Sequence, residues 1–323
     1  MSGPMSRFAP LPNPRTGDGR DRLTGVEVEF GGLAESAAAG ILRDCLGGRV
    51  VSADGHDRRL EGSRIGGVEI YLDTALRDKL AGWPRLREAG HELAREIVPV
   101  EIVTEPLDRE GLLALDDALA ALRKAGATGS GAGLFFGFGV HLNVEIASEE
   151  APDIVRPLLA YALIEDWLRR AAPIDEARRV LPFADPYPTS FVRRLAELGP
   201  GAGLGPVMDV YLEETPTRNR GLDMLPVFAH LDGDRVARAI TGATSARPAF
   251  HFRLPDCRID EPSWSLDAPW RQWRTVERVA ADRELLETLA ARWQAAHGPV
   301  TLFRGGWGEE AGAILAAQGI AAP

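Results

Sequence analysis

The chain has 323 residues, of which 45% are hydrophobic and 26% charged, so it is long enough for one large or two smaller domains and too apolar to be disordered throughout. Its 47 acidic and 37 basic residues give a net charge of −10, which argues against nucleic acid or an anionic membrane surface as a partner. Cys45 and Cys257 lie far apart and are typical of reduced thiols, and no apolar run is long enough to span a bilayer or resembles a signal peptide. These features predict a soluble cytoplasmic protein.

Residues 1–21 have no periodic apolar face, so we expect a flexible N-terminal tail. Folded sequence begins at Leu23, where apolar and polar residues alternate as in a strand. In chain order, the later patterns predict a helix over 36–46, strands near 60, over 68–72 and over 98–103, a helix over 111–125, a strand over 136–146, helices over 152–171, 191–198 and 207–213, a strand over 250–254 and one long helix over 270–293. Strands and helices are mixed without regular alternation, which predicts an α+β fold.

Four of these strands carry charged or metal-competent groups on the face opposite their apolar side chains. The groups are Glu27 and Glu29, Glu101 with Glu105, His141 with Asn143 and Glu145, and His251 with Arg253. An antiparallel sheet with one solvated face also alternates in this way. A solvated face usually includes lysine, however, and this set has none. Carboxylates with imidazole favour a site for Mg²⁺ or Mn²⁺.

Arginines form a second cluster of interest. Arg218 and Arg220 are separated by one residue and followed by Asp223, and Arg179 follows another arginine in a proline-rich segment. Guanidinium groups so close together can clamp a phosphate or carboxylate, although a solvated basic turn has the same composition. Metal ions between the acids and a polyphosphate would explain why both clusters occur in one chain.

Several segments, in order, resemble motifs of the amidoligases. They are GVEVEF from Gly25, PVEIVTEPL from Pro99, FGVHLN from Phe138, TRNRGLDMLP from Thr217 and RPAFHFRLP from Arg247. The resemblance extends over roughly residues 22–290 and is specific as a set. The amidoligases are placed in the carboxylate-amine ligase superfamily, together with glutamine synthetase and glutamate-cysteine ligase. The resemblance therefore implies that this chain belongs to the same superfamily.

This resemblance implies a glutamine-synthetase-like fold, in which a curved antiparallel sheet forms a funnel with helices outside. It also implies that ATP and divalent ions, Mg²⁺ or Mn²⁺, bind inside the funnel. A substrate carboxylate would be activated as an acyl phosphate and then joined to an amine. The expected partners are a small-molecule or peptide carboxylate, possibly glutamyl, and an amine.

The matching motifs also imply roles for individual residues. The expected metal ligands are Glu27, Glu29 and Glu101, with Glu145 added because it lies in register with His141. The expected cofactor-binding residues are His141, Asn143, Arg179 and His251, and the expected catalytic residues are Arg218, Arg220, Arg253 and Asp223. Glu277 matches by position in a helix and is compatible with a structural role. Glu105, Asp223 and Glu69 are all candidates for the general base.

Two other functions use the same residues. A metal-dependent hydrolase could activate water with the carboxylate and histidine cluster, but it would not need Arg218, Arg220 and Arg253 near the metal. A non-catalytic binding protein on this fold is the third possibility, and loss of motif acids or arginines would favour it. Because the first half supplies acids and the second half supplies arginines, we expect residues 22–323 to form a single catalytic domain.

Overall fold

The computed structural model describes residues 7–52, 57–72, 99–130, 137–175, 184–242, 244–298 and 304–323. Within these ranges lie eight strands: β1 (Thr24–Phe30), β2 (Arg49–Ser52), β3 (Arg58–Ser63), β4 (Gly66–Leu72), β5 (Val100–Thr104), β6 (Val140–Glu145), β7 (Leu222–Asp223) and β8 (Ala249–Phe252). The helices in the same ranges are α1 (Glu35–Leu46), α2 (Arg109–Lys124), α3 (Ala151–Ala171), α4 (Thr189–Leu198), α5 (Leu204–Glu214), α6 (Leu225–Leu231), α7 (Gly233–Ala239), α8 (Asp267–Ala281), α9 (Arg283–Ala296) and α10 (Trp307–Ala317).

The strands form one antiparallel sheet in the order β2-β3-β4-β5-β1-β6-β8-β7. Strand β1 lies between β5 and β6, so a strand from the N-terminal end of the chain occupies the middle of the sheet. The expected mixture of helices with an antiparallel sheet is confirmed. Side chains from segments far apart in sequence therefore lie next to each other on each face of the sheet.

One face of the sheet is apolar and packs into the hydrophobic core. Val26, Val28 and Phe30 of β1 are fully buried, as alternation predicts. Helix α8 covers part of this face, where the Trp273 ring lies 5.0 Å from Phe250 and 5.6 Å from Phe252, measured between ring centroids. Burying one large apolar side chain stabilises the folded state by about 1.5–3 kcal/mol. Because side chains alternate along a strand, burial of the apolar set on one face turns the intervening polar side chains to the other face.

The prediction of one long helix over 270–293 is wrong. The segment contains two helices, α8 and α9, which meet at Asp282. Asp282 leaves the helical conformation, and its carboxylate accepts a hydrogen bond from the Leu285 amide at 3.0 Å. This is the N-cap arrangement that begins a new helix, and it interrupts an otherwise continuous apolar pattern.

Residues 8–11, at the start of the described part of the expected tail, pack against the rest of the protein. Phe8 is fully buried and its ring packs edge-on against Trp270. The Phe8 amide donates to Asp267 at 2.6 Å, and the Trp270 indole donates to the Ala9 carbonyl at 2.8 Å. Two buried apolar residues, Phe8 and Leu11, are too few to produce a periodic pattern, yet Phe8 attaches this segment to α8.

Within the part of the chain that the structure describes, every helix is too short or too polar to cross a membrane.

Candidate active site

The strand register collects the predicted acids and histidines on the polar face of the sheet. Residues opposite each other on neighbouring strands share a face, and the pairs are Glu29–Glu101, Glu27–His141, Asn143–His251 and His251–Asp223. Strands β5, β1, β6, β8 and β7 thus each contribute a polar residue to one row. We call this row the polar row.

Hydrogen bonds connect the middle of the polar row. The Glu27 carboxylate lies 2.8 Å from His141 Nδ1 through Oε2 and accepts from Asn143 Nδ2 at 2.8 Å through Oε1. Asn143 Oδ1 lies 2.7 Å from His251 Nδ1. Because an ionised carboxylate only accepts, it fixes the amide orientation of Asn143, and His251 must donate from Nδ1. Both histidines therefore carry a proton on Nδ1, and the neutral ring of His251 keeps its lone pair on Nε2.

The pKa shifts agree with this arrangement. Burial favours the neutral acid of Glu27, but the hydrogen bonds from His141 and Asn143 oppose burial, and the pKa of Glu27 lies well below its usual value. Burial also holds the pKa of His251 well below its usual value, against the attraction of Glu27. Glu27 is therefore ionised and His251 neutral at pH 7.

Two groups of side chains in the polar row could hold a metal ion. Glu29, Glu101 and His141 offer ligand atoms that all lie within 4.8 Å of one another, and so do Glu27, His141 and His251. In the first group, Glu29 Oε2 accepts from the Gly139 amide at 2.8 Å, while Glu29 Oε1 lies 4.0 Å from His141 Nε2. That distance is too long for a hydrogen bond but short enough for both atoms to bind one ion, so two carboxylates and an imidazole form a donor set that fits a divalent cation.

An arginine cluster lies at the β7 end of the polar row. Asp223 is fully buried; its Oδ2 lies 3.3 Å from Arg218 Nε, and its Oδ1 accepts from the Leu225 amide at 2.9 Å. Arg253 donates to the Arg218 carbonyl at 2.6 Å. Burial raises the pKa of Asp223, and the Leu225 amide, Arg218 and Arg253 oppose that rise. Asp223 therefore contacts Arg218 directly, and Arg253 adds a second guanidinium beside it.

Arg220 lies in the same loop as Arg218 but has different contacts. Its guanidinium donates to the Thr215 hydroxyl at 2.6 Å and to the Pro186 carbonyl at 2.7 Å. Pro186 belongs to a segment held by Glu165, a fully buried acid that accepts from the Tyr187 amide at 2.9 Å. These contacts connect the arginine loop to the body of the protein, and Arg179 lies outside the described residues.

The structure separates Glu145 from the two candidate metal groups. Its carboxylate pairs with Arg20 and accepts from the Leu23 amide at 3.1 Å, at the far end of β6. Neither metal group found among the described side chains includes it. The hydrogen bonds to Arg20 and to the Leu23 amide overcome burial and lower the pKa of Glu145. Glu145 thus stabilises the entry of the chain into β1.

Three other acids singled out in the sequence have arginine partners away from the polar row's metal groups. Glu277 forms a two-point ion pair with Arg22 at 2.8 and 3.0 Å, and both side chains are more than 90% buried. Glu69 and Glu105 lie 3.7 and 3.4 Å from Arg59, and both carboxylates are exposed. Such contacts are typical of structural ion pairs.

Sequence reasoning assigned no role to Arg247, although the structure brings it to the site. Its Nη1 lies 3.6 Å from Glu27 Oε1. Arg247 begins the same RPAFHFRLP segment that contains His251 and Arg253. Its place in this segment was the one indication in the sequence that Arg247 belongs to the site. The alternation of residues within β8 did not include Arg247, because Arg247 precedes that strand.

Comparison with known proteins gives one match. No curated protein and no solved structure matches the chain. The family described as "Putative amidoligase enzyme" matches residues 20–275. This range begins before β1 and ends within α8, so it contains every residue of the polar row and the arginine cluster, whereas Glu277 lies beyond it. The chain belongs to this amidoligase family.

Proposed function

We propose that the protein is an ATP-dependent, Mg²⁺- or Mn²⁺-dependent ligase that joins a carboxylate to an amine. The amidoligase family supports amide-bond formation. The observation that carries the proposal further is the placement of two carboxylates and a ring nitrogen of His141 within 4.8 Å of one another, on the same sheet face that ends at Asp223 and its arginines. Acids for a cation beside arginines for an anion suit phosphoryl transfer.

The proposal gives separate roles to residues of the polar row and of the arginine cluster. Glu29, Glu101 and His141 would hold a divalent cation, which supplies positive charge to phosphate oxygens when bound. Glu27 and Asn143 orient the two histidines through the hydrogen bonds described above. Arg218 and Arg253 would stabilise charge on the transferred phosphoryl group, with Asp223 orienting Arg218.

The reaction that we propose has two steps. First, an oxygen of the substrate carboxylate forms a bond to the γ-phosphorus of ATP, and the bond from that phosphorus to the ADP oxygen breaks. Second, the amine nitrogen forms a bond to the acyl carbon, phosphate leaves and the amine loses a proton to a base. The products are an amide, ADP and phosphate. The polar row would line a funnel formed by the sheet, as in the superfamily that the motifs resemble.

The test is a screen for ADP release from Mg²⁺ and ATP over a matrix of carboxylates and amines, with amide product identified by mass spectrometry. We expect at least one pair to give amide and ADP in equal amounts, and Glu29→Gln to abolish both. Glu110→Gln is the matched control, since Glu110 is an exposed acid in the first turn of α2. Water-dependent release of an acid or amine without ATP would support a hydrolase and refute the ligase.

A further inference from the structure

Arg247 is fixed at its main chain while its side chain reaches the polar row. Its amide donates to the Pro226 carbonyl at 3.0 Å, and the carbonyl of the next residue, Pro248, accepts from Ile146 at 2.9 Å. These bonds attach it to the beginning of α6 and the end of β6. The guanidinium nevertheless lies 3.6 Å from Glu27 on β1, two strands away from β8. Because hydrogen bonds fix the main chain of Arg247, its long side chain holds the guanidinium at a defined position.

The guanidinium of Arg247 is incompletely bonded. Its Nε is buried and has no hydrogen-bond partner among the described residues. The distance to Glu27 is that of an ion pair rather than a hydrogen bond, and both Glu27 oxygens already accept from His141 or Asn143. About a third of the Arg247 side chain, 34%, is exposed. Pairing with Glu27 therefore does not account for the donors of this arginine.

Arg22 shows how this protein satisfies a structural arginine. Its Nη atoms lie 2.8 and 3.0 Å from the Glu277 oxygens, and its Nε donates to the Glu145 carbonyl at 2.7 Å. Only 3% of that side chain is exposed. A buried polar group without a partner costs free energy, and an acceptor oxygen of a bound ligand at the Arg247 guanidinium would remove that cost.

The surroundings of Arg247 suit an anion. Arg247 and Arg253 each oppose protonation of His251, so two guanidinium charges act on the same part of the site. Across the strands, Gly25 lies opposite Asn143 and Ala249 lies opposite Glu145, so these two positions add no long side chain to the polar face. Planar oxyanions accept two parallel hydrogen bonds from a guanidinium.

We propose that Arg247 binds an oxyanion of the ligand, a carboxylate or a phosphoryl group, beside Glu27. The inference rests on the proposed function only for the source of that oxyanion, either the carboxylate substrate or the nucleotide. Arg247 would thereby be a specificity-determining residue at the Glu27 side of the site. The ion pair with Glu27 holds the guanidinium in place before the ligand binds.

The experiment is calorimetric titration of the full chain, with Mg²⁺ present, using three probes: a non-hydrolysable ATP analogue, glutarate and inorganic phosphate. Arg247→Met should lower the affinity for at least one probe tenfold or more, because it removes a charge-assisted pair of hydrogen bonds. Arg247→Lys should give an intermediate affinity, since it keeps the charge but not the fork. Arg43→Met, on the exposed side of α1, removes the same charge elsewhere and should change nothing.

The pattern of losses identifies the source. A loss confined to glutarate assigns the carboxylate substrate, and a loss confined to the ATP analogue assigns a phosphoryl group. Unchanged affinity for all three probes in Arg247→Met, or no binding of any probe by the unaltered chain, would overturn the proposal. Failure of the unaltered chain to bind the nucleotide, with Arg247-dependent binding of phosphate or glutarate, would refute the proposed function and leave this inference standing.

Discussion

Replacing Asn143 by leucine tests the hydrogen-bonded centre of the polar row. The two side chains have similar volumes, so the substitution removes polar contacts without opening a large cavity. It leaves Glu27 Oε1 without its amide donor and His251 Nδ1 without its acceptor. Because His251 is 2% exposed and the Glu27 side chain 12%, water can replace these bonds only in part.

The expected loss of stability follows from those two orphaned groups. An unsatisfied buried polar group costs about 1–3 kcal/mol, so two of them should lower the free energy of unfolding by about 2–6 kcal/mol. The loss also releases the tautomer of His251, since nothing then requires a proton on Nδ1. Nitrogen NMR of the metal-free protein should therefore show a single Nδ1–H form before the change and a mixture after it.

The assay is urea unfolding in the presence of a chelator, with Asn13→Leu as the matched control. Asn13 is exposed and contacts Arg22 only through its main-chain carbonyl among the contacts described, so that variant should change stability by less than about 0.5 kcal/mol. An Asn143→Leu protein as stable as the unaltered chain, with one His251 tautomer, would refute the hydrogen-bond chain.

Three further predictions concern separate parts of the molecule. Glu277→Leu leaves Arg22 buried and unpaired, so urea unfolding should show a loss of about 3–5 kcal/mol; a loss below about 1 kcal/mol would contradict a structural ion pair. Because the folded pKa of His251 lies below the usual 6.5, the unfolded chain takes up its proton first, and stability should fall as pH falls below about 6.5, by up to about 1.4 kcal/mol per pH unit. His251→Gln should flatten this slope in metal-free protein, and an unchanged slope would contradict a buried neutral histidine. Glu29→Gln can still accept from Gly139, so it should unfold within about 1 kcal/mol of the unaltered chain yet bind Mn²⁺ at least tenfold more weakly; equal affinity would exclude Glu29 as a ligand.

Alternation allowed the sequence to predict the faces of the central strands. A one-residue shift would turn every side chain of a strand to the other side, so burial of Val26, Val28 and Phe30 fixes Glu27 and Glu29 on the polar face. Which strands become neighbours is a different matter. The pairing of β1 with β5 and β6 depends on contacts between distant segments, and alternation within one strand carries no information about them.

The contacts of two predicted site residues show the same limit. Glu145 has the right alternation, but its position at the end of β6 brings it to Arg20 instead of the metal groups. Arg220 has the expected motif, but its Nε and Nη1 donate to Thr215 and Pro186. A side chain's partner depends on tertiary distances, and neither spacing nor residue type specifies those.

The central claim is that the polar row binds a nucleotide through a divalent cation. The most direct measurement is calorimetric titration of the full chain with a non-hydrolysable ATP analogue, with Mg²⁺ and then with a chelator, on the unaltered protein, Glu101→Gln and the control Glu110→Gln. We expect binding that requires Mg²⁺, is weakened at least tenfold in Glu101→Gln and is unchanged in Glu110→Gln. Binding that is equal with the chelator, or none at millimolar analogue, would contradict the claim.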